Sequence, residues 1–239
     1  MHRKEYFVSD LHVFSRRSQA ARHQAALHAA AGNARTFIFG GDIFDFRWST
    51  LHSTDETVKH AVAWLDDFVG SHPRCDFHFV QGNHDCNRRF LAALESYSAT
   101  RNNLNVHPYV LRMGKRAFLH GDVVDHPQMC QARLIMRREH WGRDEKKRGE
   151  LPNRLYDLAV QARLHQLAGS VAHPKKRAVL RLLGYLNRVG HGPESGIEHV
   201  YFGHTHRPMD HYRQGGVTFH NPGAPMAGLD FRIVEASQK

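Results

Sequence analysis

Residues 77–85, Phe77-His78-Phe79-Val80-Gln81-Gly82-Asn83-His84-Asp85, decide how the rest of the chain is read. Phe77 to Val80 has the length and aromatic content of a buried strand. Gly82 ends it, and an amide, an imidazole and a carboxylate follow in succession. The same order, an apolar run and then ligand-type side chains beside glycine, recurs four times. Tyr6-Phe7-Val8 leads to Asp10-Leu11-His12, and Phe37-Ile38-Phe39 to Gly40-Gly41-Asp42. Ala117-Phe118-Leu119 leads to His120-Gly121-Asp122, and Val200-Tyr201-Phe202 to Gly203-His204-Thr205-His206. Open α/β sheets place ligand sites beyond the carboxyl ends of their strands. Five such strands can therefore deliver Asp, His and Asn to one shared edge, with glycines allowing tight turns and close backbone approach.

Outward from these runs, strands are expected at 5–8, 36–39, 77–80, 116–119 and 199–202. Helical patterns lie near 16–31, 54–69 and 87–96. Strand alternating with helix points to an α/β layered fold. The last runs, 209–212, 217–220 and 231–234, lack helix-length spacers and read as antiparallel strands closing a sheet.

The segment 127–190 breaks this rhythm. It offers no strand, but Leu151, Leu155, Leu158, Ala162 and His165 keep helical spacing, as do Val179, Leu182, Leu183 and Leu186. It reads as a helical insertion, a lid, within one domain spanning 1–239. Fourteen Lys and Arg stand there against five Asp and Glu, nearly the whole excess of a chain whose net charge is +10. After Pro174, Arg177, Arg181 and Arg188 fall on one helical face within roughly 40° of each other, opposite the apolar residues. Such a cationic face suits an anionic or lipid-bearing ligand, a membrane surface or a nucleic acid backbone. Arg177 and Arg181 are the candidate substrate contacts.

Composition sets limits. A chain of 239 residues can bury a core without disulfides, and its three cysteines form no C-x-x-C pair, which suits reduced thiols. No apolar run is long enough to cross a membrane, and Met1 to Val8 has no signal-peptide apolar region. A cytoplasmic protein is expected, with contact to the inner membrane face through the insertion. No phosphate-binding loop, nucleophile elbow or dinucleotide fingerprint is present. With 21 histidines, an isolated His motif is weak evidence. Asp76-Phe77-His78, for example, enters a strand rather than leaving one and is read as structural. Cys86 is read as a small loop residue.

The five motifs taken together carry the inference. Their donors are imidazole, carboxylate and amide oxygen with no thiolate, a set for Mn, Fe, Co, Ni or Zn rather than a soft metal. In order, they resemble the calcineurin-like metallophosphoesterase family, over residues 5 to about 223. The resemblance implies a four-layer αββα sandwich, two mixed β-sheets flanked by helices. It implies two divalent transition metal ions, Mn ahead of Fe, Zn, Co or Ni. One would take Asp10, His12, Asp42 and His206, the other Asp42, Asn83, His120 and His204, with Asp42 bridging. Paired cations of this kind make a nucleophile from water near neutral pH and stabilise attacking and leaving oxygens together. His84 would stabilise developing charge or protonate the leaving group, oriented by Asp85. Asp45, Asp122 and Thr205 are candidate supports.

Within the family, Ser9-Asp10-Leu11-His12, Gly41-Asp42-Ile43-Phe44-Asp45-Phe46, His120-Gly121-Asp122 and the basic insertion are similar to UDP-2,3-diacylglucosamine diphosphatase-type enzymes of lipid A synthesis. His84, and the ending Asn221-Pro222-Gly223-Ala224, are instead like other branches, the latter like small general phosphodiesterases. A nucleotide-lipid diphosphate is the expected substrate. A general phosphodiesterase or nuclease is the alternative, and a non-catalytic metal-binding scaffold a third. The sequence points to no protein partner.

Overall fold

The computed structural model of the chain describes residues 4–143 and 174–236. Two five-stranded mixed sheets stack face to face, with helices on both outer sides. The first sheet runs β10-β1-β2-β3-β4 (β1 Lys4–Val8, β2 Ala34–Phe39, β3 Asp76–Val80, β4 Leu104–His107, β10 Val234–Glu235). Strands β1 to β4 are parallel, and β10 joins β1 antiparallel. The second runs β5-β6-β7-β9-β8 (β5 Val110–Met113, β6 Arg116–Leu119, β7 His199–Phe202, β8 Met209–Gln214, β9 Val217–Asn221). There β6, β7 and β9 are parallel, and the edges β5 and β8 are antiparallel to their neighbours. The expected four-layer sandwich is what the chain forms.

The alternation of side chains explains why both faces of each sheet are covered. On β2, Phe37 and Phe39 pack under the helices α1 (Gln24–Asn33), α2 (Thr54–Gly70) and α3 (Arg88–Ala99), while Ile38 faces the other sheet. On β6 and β7, Phe118 and Tyr201 meet Phe7 between the sheets, whereas Leu119, Val200 and Phe202 face outward. The outward layer on that side includes the apolar face of a helix at Lys175–Arg188.

The described parts of 127–190 include two helices, α4 (Gln131–Arg143) and α5 (Lys175–Arg188). The spacing seen at Leu151 to His165 lies outside the described residues. Helix α5 buries Ala178, Val179, Leu182, Tyr185 and Leu186 and leaves Arg177 exposed. Among the described residues, no helix is long and apolar enough to cross a membrane.

Three sequence expectations need correction. The helix expected near 16–31 begins later: Ser18 accepts from Ala20 N–H and donates to Leu11 O, a 3-10 turn spans Ala20–His23, and α1 starts at Gln24. The strand expected at 231–234 is only Val234–Glu235, and it pairs with β1 in the other sheet instead of closing the sheet of β8 and β9. Strands β4 and β5 went unread because each is only four residues long and lies at a sheet edge. They carry the chain from one sheet to the other through Pro108-Tyr109.

Helix α4 is anchored by charge. Buried Arg138 donates to both carboxylate oxygens of Asp122, through Nε at 2.9 Å and Nη2 at 2.7 Å, and also to Pro108 O. Removing one partner of a buried pair strands the other charge. Arg138→Met is therefore expected to lower unfolding free energy by about 3–5 kcal/mol, measured by urea denaturation. A loss under about 1 kcal/mol would show that the pair does not hold the helix.

Candidate metal centre

The parallel strands β1, β2 and β3 of one sheet and β6 and β7 of the other end at the same side of the sandwich. The β1 and β2 ladder continues past both strands: Asp10 N–H donates to Gly41 O and His12 N–H to Asp42 O, each at 3.0 Å. In the second sheet the β6 and β7 ladder likewise continues, with Gly203 N–H donating to His120 O. The loops are thus fixed by backbone before any side chain is considered.

Two groups of donors result. In the first, His12 Nε2 and His206 Nε2 are 3.2 Å apart, and His206 Nε2 is 3.3 Å from Asp10 Oδ1. In the second, His120 Nε2 lies 3.2 Å from Asp42 Oδ2 and 3.1 Å from Asn83 Oδ1, with His204 completing the set. Asp42 Oδ2 is also 4.0 Å from His12 Nε2, so this carboxylate stands between the groups. All seven residues expected from the motifs are brought together.

The backbone here is strained. Asp10, His12, Asp42, His204 and His206 all have left-handed φ, between 46° and 64°. Each such residue costs about 1–3 kcal/mol where a side chain is present, and the cost persists only where the surroundings over-determine it. Small neighbours make room. A Cβ on Gly82 would sit 2.2 Å from Asp42 Oδ1, and one on Gly203 would sit 2.1 Å from Asp10 Oδ2.

Hydrogen bonds aim the carboxylates. Asp10 accepts from Ser9 Oγ–H at 2.5 Å and from His204 N–H. Asp42 Oδ1 accepts from His84 N–H at 2.8 Å. His120 Nδ1–H donates to Gly40 O at 3.2 Å, fixing its ring. Burial alone would raise the carboxyl of Asp42, but His120 and His84 beside it hold it well below the usual range. Burial alone would lower His120, but Asp42 lifts it to about 10. The cage therefore demands compensating positive charge. Its imidazole, carboxylate and amide donors converge closely enough to hold divalent metal ions.

Around the cage the roles differ from the motif reading in one place. Asp85 does not orient His84. Its buried carboxylate accepts N–H groups of Phe44 and Gly82, at 3.1 Å each, and of Ile43 at 3.4 Å. Burial, with Asp42 nearby, raises it to about 6. Asp45 takes the position beside His84 instead, with Oδ1 3.2 Å from His84 Nδ1 and Oδ2 3.4 Å from His12 Nδ1. Burial opposes charge on His84, but Asp45 and Asp42 raise it to about 9.

Thr205 accepts from Asn221 Nδ2, which also holds Gly203 O, so the Asn-Pro-Gly turn props the His204 loop. Asp122 serves Arg138. Arg181 donates to Val124 O rather than presenting its guanidinium to the cage, while Arg177 is exposed. Cys86 donates to Gly82 O at 2.9 Å, and burial pushes its thiol up, as befits a loop residue and not a ligand.

Two residues were missed. Asp125 Oδ1 lies 2.9 Å from His204 Nε2, and Arg137 of α4 pairs with the same carboxylate. Trp141 of α4 packs against His84 with the rings tilted at 48° and their centroids 5.1 Å apart. Asp125 follows His120-Gly121-Asp122 closely enough to have been considered. Nothing in the sequence around Trp141 signals its contact with His84.

Comparison with known proteins agrees with this geometry. The profile of calcineurin-like phosphoesterases matches residues 6–208. The chain is similar to a UDP-2,3-diacylglucosamine hydrolase of Ralstonia nicotianae, 27% identical over 226 residues, covering 88% of this chain and 80% of that protein.

The glycine cradle yields a direct test. Gly82→Ala is expected to keep the far-UV circular dichroism spectrum but lose tightly held divalent ions on elemental analysis. Parental metal content would show that Asp42 can move away from the added Cβ.

Proposed function

The chain belongs to the calcineurin-like phosphoesterase family and is a phosphoester hydrolase; on that premise we propose that it uses two divalent metal ions to cleave the diphosphate of UDP-2,3-diacylglucosamine or a similar nucleotide-lipid in lipid A synthesis. The observation that carries the two-metal reading is the position of Asp42 between the Asp10, His12, His206 group and the Asn83, His120, His204 group. Asp10, His12, Asp42 and His206 would hold one ion, and Asp42, Asn83, His120 and His204 the other. The donor set favours Mn, with Fe, Zn, Co or Ni as alternatives. Bound there, the ions supply Lewis acidity to the phosphoryl group and charge for the attacking and leaving oxygens.

The chain's own residues do the rest. Asp45 holds Nδ1 of His84, so Nε2 is the nitrogen that donates a proton to the leaving oxygen. Trp141 walls the side of His84 and limits its rotation. Asp125, with Arg137 behind it, orients His204. The segment 127–190 acts as the lid, and exposed Arg177 is the better candidate of the two arginines for meeting anionic substrate. The name of the Ralstonia relative and the basic, amphipathic α5 support the nucleotide-lipid choice. A protein in the cytoplasm touching the inner membrane face through this helix would meet such a substrate.

His84→Ala is expected to retain both ions but lower kcat about 10²–10⁴-fold; loss of an ion with it would make His84 a ligand. For substrate, UDP-2,3-diacylglucosamine, an aryl phosphodiester and single-stranded DNA should be compared with Mn²⁺ present. Release of UMP from the first is expected. No UMP, with turnover of DNA, would establish the nuclease alternative.

A further inference from the structure

Among the described residues, seven that are not glycine adopt left-handed φ, and His211, at 49°, is the one outside the loops that follow β1, β2 and β7. It sits in a bulge of β8. Met209 pairs with Asn221 and Tyr212 with Phe219, so Asp210 and His211 both stand opposite His220 of β9. A bulge re-aims side chains, and strain of this kind is kept where a ligand clamp needs it. Here the effect is convergence. Donor atoms of Asp210, His211 and His220 lie within 4.8 Å of one another. The His211 and His220 rings are edge to face at 4.9 Å, and His211 Nδ1 is 2.6 Å from Asp210 Oδ1. Arg232 engages the other oxygen of Asp210, at 3.0 Å.

Behind them, His220 is buried, stacked on Tyr201 at 4.5 Å, with its Nε2 3.2 Å from His199 Nδ1 of β7. The other close histidine pairs, His28 with His72 and His78 with His107, have no third donor converging on them among the described residues.

We propose that Asp210, His211 and His220 form a separate metal site for a borderline transition ion such as Zn²⁺, Ni²⁺ or Cu²⁺, with His199 as the residue that orients His220. Two imidazoles and a carboxylate suit these ions better than Mg²⁺ or Ca²⁺. The solvent side of Asp210 and His211 leaves room for water to complete the coordination. Such an ion fastens β8 to β9 one residue from Asn221, the prop beneath the His204 loop. The site does not depend on the hydrolytic reading above.

The tag-free full chain and its His211→Ala variant should be dialysed to equilibrium against Zn²⁺ and analysed for bound metal. The variant is expected to bind one equivalent fewer and to gain less in Tm on adding Zn²⁺; His211 is exposed, so the change opens no cavity in the core. Asp210→Asn is expected to weaken that equivalent tenfold or more. Equal equivalents in parent and His211→Ala would overturn the site, and unchanged affinity in Asp210→Asn would remove the carboxylate from it and overturn the proposal as stated.

Discussion

The carboxylate of Asp42 is almost fully buried, and everything around it is arranged to keep it charged. A lone buried carboxylate would take up a proton or unfold its surroundings. Here His84 N–H, His120 and His12 approach it from three loops and two sheets. That requirement explains the local features that look costly in isolation. The left-handed backbone at Asp10, His12, Asp42, His204 and His206 lets short loops turn their donors inward. Gly82 and Gly203 sit where any side chain would strike a carboxylate. The sandwich pays for this strain with a core of phenylalanines on both faces of the first sheet.

A second chain of charge ties the insertion to the cage. Arg138 grips Asp122, two residues past His120, and Arg137 grips Asp125, which holds His204. Helix α4 is therefore part of the support of His120 and His204. The same helix brings Trp141 against His84, and a Cβ at Gly142 would strike Cys86 O in the Asn83-His84 loop. Any movement of α4 would be felt at His84, His120 and His204 together.

The histidine-rich composition separates into recognisable classes once neighbours are known. Pairs such as His28 with His72 share a hydrogen bond and pack on aromatic rings. The cage histidines differ because carboxylates and an amide converge with them. The cluster at His211 resembles the cage in its strained backbone and its mixed donors, which is why it stands apart from the pairs.

The layered class, most strand and helix positions and the seven donors were legible in the sequence, because each buried parallel strand announces itself as an apolar run and delivers its ligand at a fixed end. Asp85 was misread for a related reason. Adjacency to His84 in sequence suggested contact, but the turn points successive side chains apart, and Asp45 arrives from the loop after β2 instead. The edge strands β4 and β5, the crossing of β10 to the other sheet and the supports Asp125 and Trp141 likewise rest on contacts between distant segments. Sequence by itself determined which residues could be ligands, since that follows from local pattern and side-chain chemistry. Only the tertiary structure decided which carboxylate serves which imidazole, because a distance of about 3 Å between loops is set by how two sheets stack and not by any spacing along the chain.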